Sequence, residues 1–407
     1  MKKYVWGLAA IAIMVIGFAL PSQAASFKIG DSDWSLGGSV RLDTGWRFSD
    51  FGDAKQGVEG NSAEIDNKTD FFLENPGDSR VFMKAVNGKM TGYAELGISS
   101  DVSTRHIYAT YDMGGGNSLL VGQTWTLVAE NSPNQLLFGD DNMEFFGDLY
   151  LGRNPQIRFE HSVDKLSFKV AIQEAQKGSL QTQANVSEEP DIENIQTVYD
   201  VENIFPALCL AMTFDDGKFS VTPSLYAQQL KLRALAETGP FSKDITVTTY
   251  ALAVDAAFKA DTMTISGELW WGQNVAVAAD VAAGLSRPLD VYNADFGAPA
   301  PDPKDTGSDI ENVNSYGGWL QLAAPIKPGT MYVGAGYQNA EVNNKPSNLY
   351  EDNVSTWGAF INYEYQIAKG FTMTPELAYF DYGNAPEKGD NDLGTDIFVG
   401  VHFQYDF

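Results

Sequence analysis

Arg41, Asp43 and Arg47 stand at odd positions of one short stretch, a spacing that in extended chain puts all three charges on one face. Arg80 with Lys84, and Arg158 with Glu160 and Lys169, repeat the pattern further along, and Glu95 falls in the same set. A row of mixed fixed charges can orient a polar solute or hold an anion. Covalent chemistry needs other groups, and these are scarce, with three histidines and one cysteine in 407 residues. His106 lies where alternation does not settle its facing, His161 adjoins a turn, and His402 is near the end of the last strand. None has a Gly-x-Ser-x-Gly context, so no catalytic residue is expected. Cys209 alone permits neither an intrachain disulfide nor a thiolate cluster. Asp302, Asp305, Asp309 and Glu311 crowd a Pro-rich stretch without EF-hand or nonapeptide spacing, so no metal and no cofactor is expected.

Rows of charge need extended chain to carry them. Over 34–48 the even positions read Trp34, Leu36, Gly38, Val40, Leu42, Thr44, Trp46 and Phe48, while Ser35, Ser39, Arg41, Asp43 and Arg47 fill odd ones. One face is apolar and the other polar. Strands of soluble sandwiches average about 5 to 6 residues, and this run is far longer. At about 3.3 Å per residue and a tilt near 45°, Trp34 and Trp46 lie roughly 28 Å apart along a membrane normal, the separation of two aromatic girdles. After the N-terminus no segment reads as a membrane helix, and only helices and closed barrels satisfy every backbone polar group in lipid.

Sixteen such strands can be followed along the chain. Tight turns such as Asn87-Gly88, Gly114-Gly115-Gly116 and Asp215-Asp216-Gly217 alternate with longer segments in all but one case. The pattern predicts an all-β fold, a transmembrane antiparallel β-barrel of about 16 strands with periplasmic turns and external loops. Residues 126–153, joining the fifth and sixth strands, form the third external loop. Its Glu130, Asp140, Asp141, Glu144 and Asp148 oppose only Arg153, and Leu136, Leu137, Phe138, Phe145 and Phe146 offer area to pack on the wall. We expect it to fold inward as a constriction, with Arg41, Arg80 and Arg158 facing it. In the C-terminal half the inward set is acidic, Glu268, Glu364, Glu376, Asp396 and Asp406, with His402 as the one potential cation. This wall predicts a transverse field; the plainer alternative is that these charges keep the lumen wet and pair with neighbours.

Composition agrees. Lys+Arg 27 against Asp+Glu 53 gives a net charge of -26, which excludes a protein that holds nucleic acid through its phosphates. Lys2 and Lys3, the apolar run 4–20 and Ser22-Gln23-Ala24 read as a secretory signal peptide over 1–24, leaving 25–407 as one barrel domain. The segments 49–77, 126–153, 175–206 and 273–314 together carry 25 acidic and 6 basic residues. Such loops can concentrate cations, bridge to lipopolysaccharide through divalent ions, or simply stay solvated. The final strand aligns Ile397, Val399, Val401, Phe403, Tyr405 and Phe407 on one face. It is similar to the C-terminal signature recognised by the barrel-assembly machinery of bacteria.

Several stretches resemble a known family. Ser39-Val40-Arg41-Leu42-Asp43, Asp78-Ser79-Arg80, Arg105-His106-Ile107-Tyr108, Leu120-Val121-Gly122-Gln123-Thr124-Trp125 and Asn154-Pro155-Gln156-Ile157-Arg158-Phe159 look like successive blocks of the DcaP-like outer-membrane porins, in the same order, over roughly residues 27 to 170. The resemblance implies a homotrimeric diffusion channel for small, often anionic, solutes. The expectation is therefore an outer-membrane porin among lipids and lipopolysaccharide, passing small hydrophilic solutes without enzymatic activity. Arg41, Asp43, Arg47, Arg80, Lys84, Arg158 and Glu160 would line the pore with Glu130, Asp140, Asp141 and Glu144 of the loop. The alternatives are a carboxylate-selective channel with an arginine-lined constriction, and a structural or adhesive barrel.

Overall fold

In the computed structural model sixteen antiparallel strands close on themselves. The described residues run from 25 to 407, apart from 53–55, 58–63, 66, 100, 138–142, 179–182, 186–194, 198, 236–243, 280, 282–311, 343–352 and 385–391. Residues 1–24, with the signal peptide, lie outside them, as do Phe138, Asp140, Asp141 and the Asp302 to Glu311 cluster.

The strands are β1 Ser32–Asp50, β2 in two pieces (Asn67–Glu74 and Arg80–Asn87), β3 Met90–Ile98, β4 Val102–Gly114, β5 Asn117–Trp125 and β6 Arg153–Val163. β7 is Leu166–Gln173, β8 again has two pieces (Tyr199–Asn203 and Ala207–Asp215), and β9 Phe219–Ala234, β10 Ile245–Lys259 and β11 Thr264–Gln273 follow. β12 Val313–Ile326, β13 Gly329–Val342, β14 Asn353–Ala368, β15 Phe371–Asp381 and β16 Thr395–Asp406 complete the wall. Each pairs with the next, and β16 returns to β1 from Ser39↔Asp406 to Asp50↔Thr395. A short N-terminal strand, Ala25–Ile29, lies beside the start of β1.

Period-2 patterning explains the closure. The even positions of β1 include Val40, Leu42, Trp46 and Phe48, all exposed outward, and Leu269 and Leu320 stand 73% and 62% exposed on β11 and β12. In water that surface would be costly; in a bilayer it is the apolar band. Aromatic pairs mark both rims. Trp46–Phe71, Tyr250–Trp271 and Trp357–Tyr379 meet near the long-loop rim with centroids 5.4, 5.4 and 4.9 Å apart, and Phe371–Phe403 and Tyr405–Phe407 at 6.3 Å near the short-turn rim.

Three strands depart from the expected pattern, β8 because Tyr199–Asn203, within the segment read as loop, pairs with the far end of β9. The segment 49–77 is not all loop, because Asn67–Glu74 pairs with the upper half of β1 and continues β2. Pro76, which has no N–H for a ladder, and Gly77 break the strand between the pieces. Ser79 patches the gap, its Oγ accepting from Arg41 N at 2.9 Å and donating to Asn75 Oδ1 at 2.6 Å. β4 carries a bulge at Arg105, since His106 pairs with Glu95 but Thr104 with Leu96. One extra residue lets Arg105 and His106, neighbours in sequence, both point inward, each 7% exposed.

Candidate functional site

The third loop crosses the lumen and lies on the opposite wall. Glu376 of β15 takes four donors: the N–H groups of Leu136 at 2.9 Å and Leu137 at 2.8 Å, Gln135 Nε2 at 3.1 Å and Asn362 Nδ2 at 2.8 Å. Gln321 Oε1 accepts Asn134 N at 2.6 Å, Thr356 and Gln338 donate to the Phe145 carbonyl, and Trp270 Nε1 donates to the Gly147 carbonyl at 2.8 Å. Phe146 packs on Phe380 with centroids 4.5 Å apart. The approach is close enough to need glycine on both sides. A Cβ on Gly147 (φ +132°) would meet Gly318 O at 2.4 Å, and one on Gly336 would meet Phe146 O at 2.3 Å. The expected packing residues Leu137, Phe145 and Phe146 thus do that work.

A second segment, unforeseen in the sequence, also enters the barrel. Val275–Val277 forms a 3-10 turn; Val275, Ala276, Ala278, Ala279 and Val281 are buried in one cluster with Leu127, Val128, Leu149 and Leu151 of the third loop, while Val277 packs with Leu230, Leu232 and Val247 of the wall. The wall beneath is small and apolar: Ala171, Ala207, Cys209, Ala251 and Ala253 all face inward. Small side chains leave room for the two loops. Alanine at alternate inward positions of β10, where a wet lumen would want polar groups, was the available signal.

The third loop leaves a cavity of about 560 Å³ against the wall from β1 to β6. Its lining includes Arg41, Arg80, Arg105, Arg153 and Asp78 on the wall, and Glu130, Ser132 and Glu144 on the loop. Asp78, turned inward by the break in β2, pairs with Arg41 at 3.2 Å and with Arg105. Glu95 holds Arg105 at 2.9 Å and Arg80 at 3.5 Å. The Arg153 guanidinium lies 3.7 Å from the Trp125 centroid and donates to Tyr150 Oη at 3.1 Å. Glu130 is held by Lys169 at 2.8 Å. Arginines therefore face acidic loop residues across the cavity, and the guanidiniums outnumber the carboxylates lining it.

The expected pore residues divide. Arg41, Arg80, Glu130 and Glu144 come together here, and Arg105, Asp78, Trp125 and Arg153 join them. Arg158 lies outside the lining, donating to Gln156 Oε1 at 3.0 Å and to the Trp125 carbonyl. Asp43 is fully buried, its Oδ1 2.7 Å from His402 Nδ1, so neither lines a passage. Arg47 is spent on Asp396, Nε to Oδ1 3.0 Å, and Ser49 and Tyr382 complete that carboxylate's shell. Lys84, paired across from Tyr93, and Glu160, which accepts from Ser167 Oγ at 3.2 Å, stand nearer the short turns. Glu268 and Glu376 of the acidic arc face inward, but at 1% and 4% exposure they are covered by the loop they anchor.

No family model matches the chain, and no curated protein matches its sequence. Among solved structures it is similar to the outer membrane channel DcaP of Acinetobacter baumannii, at 18% identity over 94% of this chain and 100% of that one, with a TM-score of 0.63. It shares their fold with two others. Outer-membrane expressed OmpT of Vibrio cholerae matches at 14% identity, 94% and 100% coverage and a TM-score of 0.55. Salmonella typhi OmpF, in complex with daunomycin, matches at 12% identity, the same coverage and a TM-score of 0.53.

Proposed function

We propose that this protein is an outer-membrane porin, a passive and non-enzymatic diffusion channel for small hydrophilic solutes. The observation that carries the reading is the 560 Å³ charged cavity between the inward loop and the arginine wall of a closed, apolar-sided barrel. Fixed charges of both signs across a narrow lumen replace part of a polar solute's hydration and offer nothing to an apolar one. The fold shared with a named outer membrane channel supports the same location and role. We infer a homotrimer, supported by the trimer form in which in-vitro folded Vibrio cholerae OmpT was solved, at a TM-score of 0.52.

Purified protein added to a planar bilayer is expected to give discrete conductance steps. Insertion without steps would overturn the proposal. A second reading, selectivity for small carboxylates, is favoured by the excess of guanidinium over carboxylate groups in the cavity lining, since planar guanidinium matches carboxylate in two parallel hydrogen bonds. Added dicarboxylate that blocks the current at millimolar levels, where an equal concentration of neutral sugar does not, would support it.

A further inference from the structure

The far end of the third loop rests on carboxyl groups that the cavity does not use. Asp255 of β10 and Glu268 of β11 are directly opposite in the ladder, with Thr222 of β9 and Trp319 of β12 continuing the row. Asp148 of the loop comes down beside them. All three carboxyls belong to residues only 1% exposed. Glu268 Oε1 accepts the Leu149 N–H at 3.0 Å, but Glu268 Oε2, Asp148 Oδ1 and both Asp255 oxygens have no partner of normal hydrogen-bond geometry. Among the described residues no lysine, arginine or histidine forms an ion pair with any of the three, and the group is not arranged to hold a metal ion. The remaining charge that acts on the row is Glu130, itself held by Lys169 of β7. β9 contributes only Thr222 to the row and β12 only Trp319, neither of which titrates.

The contrast with Glu376 is informative. There four donors serve one carboxyl; here Leu149 N–H makes the one hydrogen bond of normal geometry among the described residues, with Ser132 and Trp319 beside Asp148, Asn131 beside Asp255, and Asp255 and Glu268 facing each other. Like charges directly across a ladder repel, and buried charges without partners are not tolerated. We propose that Asp148 in its protonated form latches the end of the third loop to the wall, and that its ionisation at alkaline pH drives the loop off Asp255 and Glu268 and widens the passage. Burial pushes the Asp148 carboxyl well above the ordinary carboxylate range, and Asp255 adds to the rise. An undocked loop returns it to an ordinary acid. Docking therefore takes up a proton, is fully favoured below the ordinary range, and loses that advantage as pH rises through the docked value.

The latch rests on the porin reading, and the experiment separates the two. Single-channel conductance is followed from about pH 6 to about pH 9 for wild type, Asp148→Asn and Glu268→Gln. Wild type is expected to rise in conductance toward alkaline pH, and the rise is expected to be lost in the isosteric, uncharged Asp148→Asn and diminished in Glu268→Gln. A flat wild type, or an equal rise in Asp148→Asn, overturns the latch. Absence of steps at every pH overturns the porin reading instead. In that event hydrogen exchange of the peptide containing Leu149, whose N–H reaches Glu268, decides. Exchange at alkaline pH faster in wild type than in Asp148→Asn supports the latch, and equal rates refute it.

Discussion

Arg153 lies over Trp125, guanidinium carbon 3.7 Å from the ring centroid, and these residues begin β6 and end β5. The third loop is therefore pinched at its base by the two residues that launch and receive it, with Thr126 N donating to Gly152 O at 3.2 Å just inside. A partly desolvated cation-aromatic contact is worth about 0.5 to 2 kcal/mol. Trp125→Leu should free the guanidinium and loosen the base of the loop. Greater open-channel current noise with an unchanged barrel melting temperature is the expected record.

Arg80 and Arg153 line the cavity and are less buried in ion pairs than Arg105. The double change to alanine should shift the reversal potential in a salt gradient toward cation selectivity at both high and low salt, because these charges sit where little water screens them. Changes in the acidic external loops should register only near 0.01 M salt, where the Debye length is about 30 Å. A double variant with wild-type selectivity would take these arginines off the permeation path.

Arg105 differs in kind. Its side chain and that of Glu95 are 8% and 7% exposed and 2.9 Å apart. Removing one partner of such a pair leaves a buried charge and costs about 3 to 5 kcal/mol. Arg105→Ala should therefore lower the temperature of heat-induced barrel unfolding on gels, whereas Arg80→Ala, 27% exposed at the side chain, should barely move it.

Glu376→Ala strips four donors of their acceptor at once. Each buried donor left unmade costs about 1 to 3 kcal/mol, so residues 134–137 of the loop should leave the wall. Protease cleavage within the loop, absent in wild type, would show it.

Phe407 exchanges two backbone bonds with Gly38, at 3.0 and 3.1 Å, and stacks on Tyr405. Phe407→Ala keeps the bonds but removes a rim aromatic, and fewer heat-modifiable barrels in outer-membrane fractions are expected.

The barrel itself was legible because lipid on one side and polar groups on the other enforce strict alternation, from Trp34 through Phe48 and again from Ile397 to Phe407. Arg41 and Arg80 were legible for the same reason, and Glu130 and Glu144 through the length and acidic content of the third loop. Arg105 was not, because a bulge shifts parity by one and no residue type announces it. Asp78 was hidden by the break at Pro76-Gly77, which turns what reads as loop into the middle of a strand. Asp43 and Glu268 were placed on the correct face, but facing inward is not the same as facing water. A loop or a neighbouring histidine can occupy the space first, and alternation carries no information about that.

The two inward segments give β9 to β11 an environment unlike that of β1 to β6. Ala251, Ala253 and Tyr226 are sealed beneath Leu127, Val275 and Ala276, so this arc of sheet is covered on both faces, by lipid outside and by protein within. It obeys the packing rules of a soluble sandwich, in which an added methylene is felt and a polar substitution is punished. Across the lumen, the more exposed members of the arginine arc, such as Arg80, tolerate exchange as a wetted surface does, whereas Arg105, buried with Glu95, does not. One closed sheet is thus divided lengthwise into a scaffold and a partly adaptable wall, and variation in the exposed charges of the cavity lining can accumulate on the second without loosening the first.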